Sequence, residues 1–382
     1  MSQPILVLNC GSSSIKFALF DAALRPLPRR AAWSGSVEGI GKDKPYQAAL
    51  QEVRERVVGE TGGRPPAAIV HRVVHGGAKY QAPVQVDAAV LAELESYVPL
   101  APLHQPFALK AIGILLAELP RVPQIACFDT AFHRTLPQVE QILPLPRGLR
   151  QRGVRRYGFH GLSYEYMSVA LGERHGRAAR GRTIVAHLGS GASLCAMQGL
   201  RSVATTMGFS ALEGLMMGTR CGSLDPGVLL YLLEVEKLGV EDLTRILYRE
   251  SGLLGASGLS ASPKLLLDAE DTDPDARMAL ELWVRRVVRE IGALAAVLGG
   301  LDMLAFTAGI GERSAVLRER ICDALGWLGL KLDPRANQAN ASTISRPGSR
   351  VLVAVEPTNE EWIAASHAAR LLSTESADIA HA

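Results

Sequence analysis

Two short turns rich in glycine and serine are the first segments of this sequence whose residue types could do chemistry. Residues 9–14 read Asn-Cys-Gly-Ser-Ser-Ser, and Lys16 follows two positions later. Such a turn can point several backbone N–H groups into one concavity, and serine hydroxyls add further donors, which suits phosphate binding. The same composition is also typical of a plain hairpin turn. Residues 186–194 repeat the pattern, with Gly-Ser-Gly between apolar residues.

Two familiar nucleotide-binding patterns do not fit the sequence. No Gly-x-x-x-x-Gly-Lys-Ser/Thr loop occurs. Residues 189–191 and 309–311 each begin like a dinucleotide-binding fingerprint, but Leu194 and Ser314 stand where the third glycine would be. We therefore expect neither a P-loop nor a Rossmann site.

The elements that must position the two turns alternate between strands and helices. Strands are predicted on both sides of the first turn, at residues 5–8 and 15–20, and a third at residues 33–37. Further strands are predicted at residues 68–74, 124–128, 183–188, 193–197, 303–307 and 350–355. The clearest helix covers residues 275–298, with an aspartate cap, Pro274 in its first turn and a glycine stop. This alternation predicts an α/β protein.

Composition and charge describe an ordinary globular chain. Its 382 residues are 48% hydrophobic and 21% charged, and the formal net charge is +3. The length predicts two domains or one bilobal unit, with a boundary near residues 137–156. A charge this small excludes the strongly basic class of nucleic-acid or membrane-surface proteins. The five cysteines are widely spaced, which predicts neither disulfides nor a zinc site.

No targeting or membrane segment is apparent. The first residues lack a basic stretch followed by an apolar one, so we expect no signal peptide. The most apolar run, residues 291–301, is far shorter than the ~20 residues that cross a bilayer. The expected location is cytoplasmic.

Nine segments in a fixed order closely resemble the acetate kinase family, which includes acetate and propionate kinases. The resemblance covers residues 5 to about 370. The segments are residues 7–16, 71–77, 101–104, 128–133, 157–161, 187–191, 212–220, 306–312 and 357–361.

The resemblance implies a fold and an assembly. The family has the two-lobed fold of sugar kinases, heat-shock ATPases and actin, in which a ribonuclease H-like core is duplicated on the two sides of a cleft. We expect an N-terminal lobe of residues 1–145 and 361–382, which includes the returning last helix. Residues 146–360 are expected to form a C-terminal lobe for nucleotide binding and dimerisation. Family members are homodimers, and no nucleic-acid or membrane partner is implied.

The resemblance also implies a reaction, the Mg²⁺-dependent and reversible transfer of a phosphoryl group from ATP to acetate. Its products are acetyl phosphate and ADP, and Mn²⁺ can replace Mg²⁺. By motif, the catalytic residues are Asp129, His160 and Arg220. The expected acyl-substrate residues are Arg72, His104, Val74, Leu103, Phe159 and Ala211. Because the acceptor carboxylate is already ionised at neutral pH, we expect Asp129 to orient Arg72 or a magnesium-bound water and not to take a proton.

The nucleotide and metal residues follow in the same way from the resemblance. Magnesium matches Asn9 and Glu360. The expected ATP and ADP contacts are Lys16, Ser12, Ser14, His187, Leu188, Gly189, Ser190, Gly191, Asp275, Ala276, Arg277, Gly309, Ile310, Gly311, Glu312 and Arg313. The helix that starts near Asp275 is expected to offer its N-terminal N–H groups to the nucleotide.

The sequence departs from the family pattern at a few positions beside these residues. Asparagine is usual at Ser190, Arg313 and Gln105, aspartate at Ser223, serine at Cys221 and proline at Ala211. These changes leave alternatives open: a propionate or butyrate kinase, a pyrophosphate-dependent acyl kinase, or a nucleotide-binding switch without enzymatic activity.

Overall fold

The computed structural model describes residues 1, 3–41, 44–102 and 104–380. Leu103, which we expected in the acyl pocket, lies outside the described residues.

Most of the predicted strands form where the apolar runs place them. The strands are β1 (Pro4–Cys10), β2 (Ser14–Asp21), β3 (Trp33–Glu38), β4 (Ala68–Val73), β5 (Val84–Gln85), β6 (Gln124–Phe128), β7 (Arg182–Leu188), β8 (Ala192–Gln198), β9 (Arg201–Thr205), β10 (Met303–Thr307) and β11 (Leu352–Val355). The short β5 and the strand β9 were not predicted.

Helices fill most of the intervening segments. They are α1 (Tyr46–Thr61), α2 (Ala88–Ser96), α3 (Gln105–Glu118), α4 (Gln138–Gln141), α5 (Arg147–Gln151), α6 (Gly161–His175), α7 (Pro226–Glu234), α8 (Val240–Arg245), α9 (Gly252–Ser257), α10 (Pro263–Ala269), α11 (Pro274–Leu298), α12 (Ala308–Arg313), α13 (Ala315–Ala324), α14 (Pro334–Gln338) and α15 (Glu360–Ala380). Short 3-10 turns lie at Val98–Leu100, Ala131–Thr135 and Gly326–Leu328, and one π-helical turn at Ile246–Glu250.

The first of two structural units contains Met1–Arg134, Gly161–Tyr166 and Asn359–Ala382. Its sheet has the strand order β3-β2-β1-β4-β6-β5. Strands β1 to β3 form an antiparallel meander, whereas β1, β4 and β6 are parallel. Buried side chains of α1 and α3 pack against the sheet, and α15 packs on β1 and β4. Helix α15 therefore belongs to the same unit as the N-terminal strands.

The second unit contains Thr135–His160 and Met167–Thr358. Its sheet has the order β11-β10-β7-β8-β9, with an antiparallel meander of β7 to β9 and parallel β7, β10 and β11. Apart from β5, the two sheets share one strand order and one pattern of directions. The matching strand order and directions confirm the expected duplicated core.

Helix α11 shows how local sequence fixes an element in the second unit. Asp273 accepts hydrogen bonds from the N–H groups of Asp275 and Ala276, and Gly299 ends the helix with a left-handed φ of 71°. Its apolar positions include Trp283, which is 1% exposed, and α11 packs on α9 and on β7 and β8 of the sheet. The predicted bounds of this helix are confirmed to within one residue at its start.

Of the helices that the described residues form, none is long and apolar enough to cross a membrane.

Candidate active site

The first glycine–serine turn joins β1 and β2 in a tight hairpin. The Gly11 N–H donates to the Ser14 carbonyl at 2.9 Å, and Asn9 lies opposite Lys16 in the ladder. Asn9 is half-buried, whereas Ser12 and Lys16 are exposed. The side chains of Ser12 in the turn and Lys16 in β2 are therefore exposed at one end of the first sheet.

Arg72 and Asp129 come together because both stand at the carboxyl ends of neighbouring parallel strands. Arg72 is next to last in β4, and Asp129 follows β6 directly. The Arg72 Nε lies 2.9 Å from Asp129 Oδ1, and its Nη2 lies 2.7 Å from Oδ2. This two-pronged contact fixes the plane of the guanidinium. Asp129 is 2% exposed, and its own backbone is held by bonds to Val73 and Gly161.

Glu360, the first residue of α15, completes an ionic cluster in this unit. Its Oε2 lies 3.1 Å from Arg72 Nη1, and its side chain is 15% exposed. The sequence placed Glu360 about 230 residues from Asp129, and only the return of α15 to the first sheet brings the two together.

The charges of this cluster act on the pKa values of its members. Burial opposes the charged form of Arg72, but the charges of Asp129 and Glu360 outweigh it and raise the pKa of Arg72 above its usual value. Burial, followed by the charges of Asp129 and Glu361, raises the pKa of Glu360 to about 7, although Arg72 and Lys16 oppose that shift. A permanently charged arginine therefore stands beside a carboxyl group that titrates near neutral pH.

Gln105, which stands where asparagine is usual in the family, has a defined structural role. It is fully buried, and its side-chain amide accepts from the His75 N–H at 3.0 Å and donates to the His75 carbonyl at 2.9 Å. The amide thus fixes the backbone that follows Arg72. Val74 and His104, two of the expected acyl-substrate residues, are half-buried in the same unit.

His160 introduces the catalytic candidates of the second unit. It adopts a left-handed φ of 57° just before α6, a conformation that is uncommon outside glycine. Its ring stacks on the ring of His187 with centroids 4.1 Å apart, and its Nδ1 lies 2.8 Å from Ser193 Oγ. Both neighbours come from the β7–β8 hairpin, so this hairpin sets the orientation of the His160 ring.

Arg220 converges with His160 on the second glycine turn. A Cβ atom on Gly191 would lie 3.0 Å from Arg220 Nη2 and 3.2 Å from His160 Nε2. The Nη1 of Arg220 donates to the Ala211 carbonyl at 2.7 Å. Within the described part of the chain, no carboxylate forms a salt bridge with Arg220, and burial lowers its pKa. A half-buried cation without an acidic partner is suited to hold an anion.

The second turn is also closed by a backbone hydrogen bond, with a shorter span than in the first turn. The Gly189 N–H donates to the Gly191 carbonyl at 3.0 Å, and the exposed Ser190 stands at the tip. His187 and Leu188 are buried at the end of β7. Each unit therefore contains one hairpin whose turn is rich in glycine and serine.

A cavity of about 550 Å³ in the second unit gathers part of the expected nucleotide-binding residues. Gly309, Ile310 and Arg313 of α12 line it. Other lining residues did not stand out in the sequence: Ser262, Pro263, Lys264, Gln338 and Asn340. One sequence feature could have indicated them: a run of small residues ends at Pro263, the first residue of α10. Gly311 of the same helix is buried, and the Glu312 carboxylate accepts from the Thr358 N–H at 3.1 Å.

Asp275, Ala276 and Arg277 are not among the residues that line this cavity. Asp273 already accepts from the N–H groups of Asp275 and Ala276, so these donors of the helix end are occupied. The Arg277 guanidinium donates to the Glu270 carbonyl at 2.8 Å. The structure gives these three residues a role in the start of α11, and their contact with a nucleotide stays a prediction.

The remaining acyl-pocket candidates and departures lie in the second unit. Phe159 is buried, and Ala211 is half-buried beside Arg220. Ser223 accepts from the Gly214 N–H at 3.1 Å, and the half-buried Cys221 donates its N–H to Leu247. Ser223 and Cys221 therefore both form hydrogen bonds that hold the loop around Arg220.

The sequence and the structure of this chain are both similar to those of known proteins. A model of the acetokinase family matches residues 47–366. The acetate kinase of Rhodopseudomonas palustris is 48% identical, over 97% of this chain and 99% of that protein. The crystal structure of Porphyromonas gingivalis acetate kinase superposes with a TM-score of 0.86 at 34% identity, covering 97% of this chain and 100% of that one. A propionate kinase from Francisella tularensis gives 0.88 at 32% identity, covering 96% and 98%. These likenesses confirm the resemblance and the actin-like fold expected from it: the chain belongs to the acetokinase family.

Proposed function

We propose that this chain is an acetate kinase, which transfers a phosphoryl group reversibly from ATP to acetate and forms acetyl phosphate and ADP. The observation that carries the proposal is Arg220, a half-buried cation that meets His160 at a glycine turn and has no carboxylate ion-pair partner among the described residues. A phosphoryl group in transfer carries negative charge on its equatorial oxygens, which such a pair can stabilise.

Arg72 is the proposed partner of the acceptor carboxylate. Its guanidinium plane is fixed by Asp129, so it loses little freedom when it binds two oxygens of an acid. Acetate has a pKa near ~4–5, like the carboxyl side chains, and needs no general base at neutral pH. We therefore assign Asp129 the role of orienting Arg72.

His160 and His104 are assigned supporting roles. The contact of His160 Nδ1 with Ser193 leaves Nε2 on the side of Gly191 and Arg220, where it can donate a hydrogen bond to a phosphoryl oxygen. His104 precedes α3 in the unit that carries Arg72, and we keep it among the acyl-substrate residues.

The cavity beside Arg313 is the proposed nucleoside site. Its volume of about 550 Å³ is in the range of small-molecule sites, and Ile310 and Pro263 offer apolar surface for a base. We therefore favour ATP over pyrophosphate as the donor. Lys16, Ser12 and Ser14 of the first hairpin, and residues 187–191 of the second, are the proposed phosphate contacts.

Asn9 and Glu360 are the proposed magnesium residues. The donor chemistry fits, because amide and carboxylate oxygens suit Mg²⁺, and two further acidic residues, Asp129 and Glu361, act on Glu360. The described residues contain no cluster of three or more histidine, cysteine or acidic side chains able to hold a metal. When bound, magnesium would neutralise charge on the nucleotide phosphates, which supply further oxygen ligands.

Magnesium binding is expected to weaken as the pH falls below 7. Because the pKa of Glu360 is raised to about 7, this carboxyl group is protonated below that pH, and a metal must then compete with a proton. The apparent Kd for Mg²⁺ in the presence of ADP should rise up to about tenfold per pH unit between pH 7 and 5. Calorimetric titrations at pH 5, 6, 7 and 8 measure it. In Glu360→Gln the affinity should be low at each pH, and an equal pH slope in this variant would refute the assignment.

The residue at Ala211 is expected to influence the choice between acetate and propionate. Proline, which is usual here, is larger than alanine, and one methylene in an apolar pocket contributes ~1–3 kcal/mol to selectivity. Ala211→Pro keeps the carbonyl that Arg220 uses and should lower the propionate/acetate ratio of kcat/KM by about tenfold. Steady-state kinetics with both acids measure the ratio. If it does not change, Ala211 has no part in acyl selection.

We further propose a cytoplasmic homodimer. Helix α7 leaves apolar side chains in solvent, among them Val228, Leu230 and Tyr231, which are 42%, 57% and 52% exposed. A second copy of the chain could cover them. Light scattering of the purified protein tests the assembly, and the mass of a single chain would refute it. The cytoplasm is the proposed compartment because it supplies ATP and Mg²⁺.

The central test is the formation of acetyl hydroxamate from acetate, Mg-ATP and hydroxylamine. Propionate and butyrate run in parallel, and GTP and pyrophosphate replace ATP in further arms. Acetate-dependent product that disappears in Arg220→Ala is the expected result. Absence of product with every acid and donor would favour a nucleotide-binding switch.

A further inference from the structure

Arg318 on α13 is a buried arginine that has no acidic partner within the described residues. It is 1% exposed. Its Nη1 donates to the Gly311 carbonyl and its Nε to Asn337 Oδ1, both at 2.8 Å. Its Nη2 donates to the Asn337 carbonyl at 2.8 Å and to Asn340 Oδ1 at 2.6 Å. All four acceptors are neutral oxygens, and burial lowers the pKa of Arg318.

Burying a charged side chain costs free energy, and hydrogen bonds must offset the water contacts that the charge loses. Arginine carries five N–H donors in a rigid plane, and the four bonds reach two separate segments of chain. One segment is α12, through Gly311. The other is the end of α14 and the turn after it, through Asn337 and Asn340. No single lysine amine could reach both segments with the same geometry.

Both of these segments line the cavity of about 550 Å³. Gly309, Ile310 and Arg313 belong to the α12 wall, and Gln338 and Asn340 belong to the α14 wall. Asn340 uses its Oδ1 for Arg318, which fixes the direction of the side-chain amide within the wall. Asn337 is 2% exposed and donates to the Ala315 carbonyl at 2.9 Å, so the α14 segment is also tied to the start of α13.

We propose that Arg318 is a positioning residue for nucleotide binding, which fixes the α12 and α14 walls of the cavity relative to each other. The inference rests on the proposed function, in that the cavity takes the nucleoside of the phosphoryl donor. Arg318 touches no substrate in this scheme. It sets the width of the cavity and the direction of the Asn340 amide.

The test compares Arg318→Met and Arg318→Lys with Arg320→Met. Arg320 lies two residues further on the same helix and pairs with Glu270, and it does not line this cavity. For both Arg318 variants we expect the KM for ATP and the calorimetric Kd for ADP to rise about tenfold or more. The KM for acetate, and kcat per folded molecule, should stay within about twofold of the wild type. Arg320→Met should leave all four constants unchanged.

A milder variant keeps the proposal testable if the Arg318 variants fold poorly. Asn337→Ala removes the Oδ1 acceptor of Arg318 and also the bond to the Ala315 carbonyl, and both of these bonds hold the α14 wall. It keeps the charge of the core and the lining residues, and should raise the Kd for ADP several-fold. If the folded variants melt earlier but bind ADP as tightly as the wild type, Arg318 is merely structural and the proposal is wrong. The same conclusion follows if the KM values for ATP and acetate rise equally.

One further variant separates this inference from the proposed function. Arg313→Ala changes the cavity lining directly. If the wild type binds ADP and Arg313→Ala binds it equally well, the nucleoside lies elsewhere, and the cavity assignment fails together with the inference. If Arg313→Ala weakens ADP binding and Arg318→Met does not, only the inference fails.

Discussion

Replacement of Arg72 by alanine should lower kcat/KM for acetate by at least about a hundredfold. Two charge-assisted hydrogen bonds to the acceptor carboxylate would be lost, each worth about 1.5–3 kcal/mol. The same change leaves Asp129, which is 2% exposed, and Glu360 without their shared cation. Breaking a buried ion pair on one side destabilises a fold by about 3 kcal/mol, so the melting temperature should fall as well. Kinetics with acetate varied and thermal unfolding measure the two effects.

Arg174→Ala is the matched control for the loss of stability. Arg174 pairs with Glu356, whose side chain is 4% exposed, at 2.8 Å in the second unit. Its removal also deprives a buried carboxylate of its partner, but it touches none of the proposed site residues. The control should lower the melting temperature and leave kcat/KM within about threefold of the wild type. If Arg72→Ala and Arg174→Ala behave alike in kinetics, Arg72 does not bind the acceptor.

Gly252→Ala is expected to lower kcat by about a hundredfold through the loop that carries Arg220. Gly252 has a left-handed φ of 64°, and a Cβ atom there would lie 2.2 Å from the Met217 carbonyl oxygen and 2.9 Å from that of Arg220. Backbone must move to relieve such a contact. A displacement of about 1 Å in a group that positions the reacting atoms can reduce the rate about a hundredfold. Single-turnover kinetics with saturating substrates measure the chemical step.

Gly258→Ala separates the displacement from backbone strain. Gly258 ends the same helix with a φ of 63°, and a Cβ atom at this position meets nothing within 4 Å. Both substitutions therefore place alanine in the left-handed region, which costs about 1–2 kcal/mol. Only Gly252→Ala should also reduce kcat. Equal kcat values in the two variants would mean that catalysis tolerates a shift of the Arg220 loop. The proposal that kcat depends on the exact position of Arg220 would then be wrong.

The sequence determined much of the fold through local signals. Apolar runs and glycine turns predicted nearly all strands of both sheets, and aspartate, proline and glycine marked the ends of α11. The short β5 escaped prediction because two residues carry no periodicity. Strand β9 escaped because its apolar content is low, and its pairing with β8 supplies the stabilisation.

The candidate site residues were named largely from the family resemblance, since single side chains carry no local signal of function. The sequence by itself determined which residues are present: an arginine in β4, an aspartate after β6, a histidine before α6 and two glycine turns. It could not determine which of the possible partners each one meets. Residues 275 and 276 show this, because the structure pairs their N–H groups with the Asp273 carboxylate.

Tertiary structure alone decided the contacts between segments far apart in sequence. The return of α15 to the first sheet brings Glu360 to Arg72, and burial beside Asp129 and Glu361 then raises the pKa of Glu360. The packing of α13 places Arg318 where it donates to both the α12 and the α14 walls of the cavity. The physical reason is the same in both cases. Hydrogen-bond geometry, desolvation and charge depend on distances in space, whereas the sequence specifies directly only the neighbours along the chain.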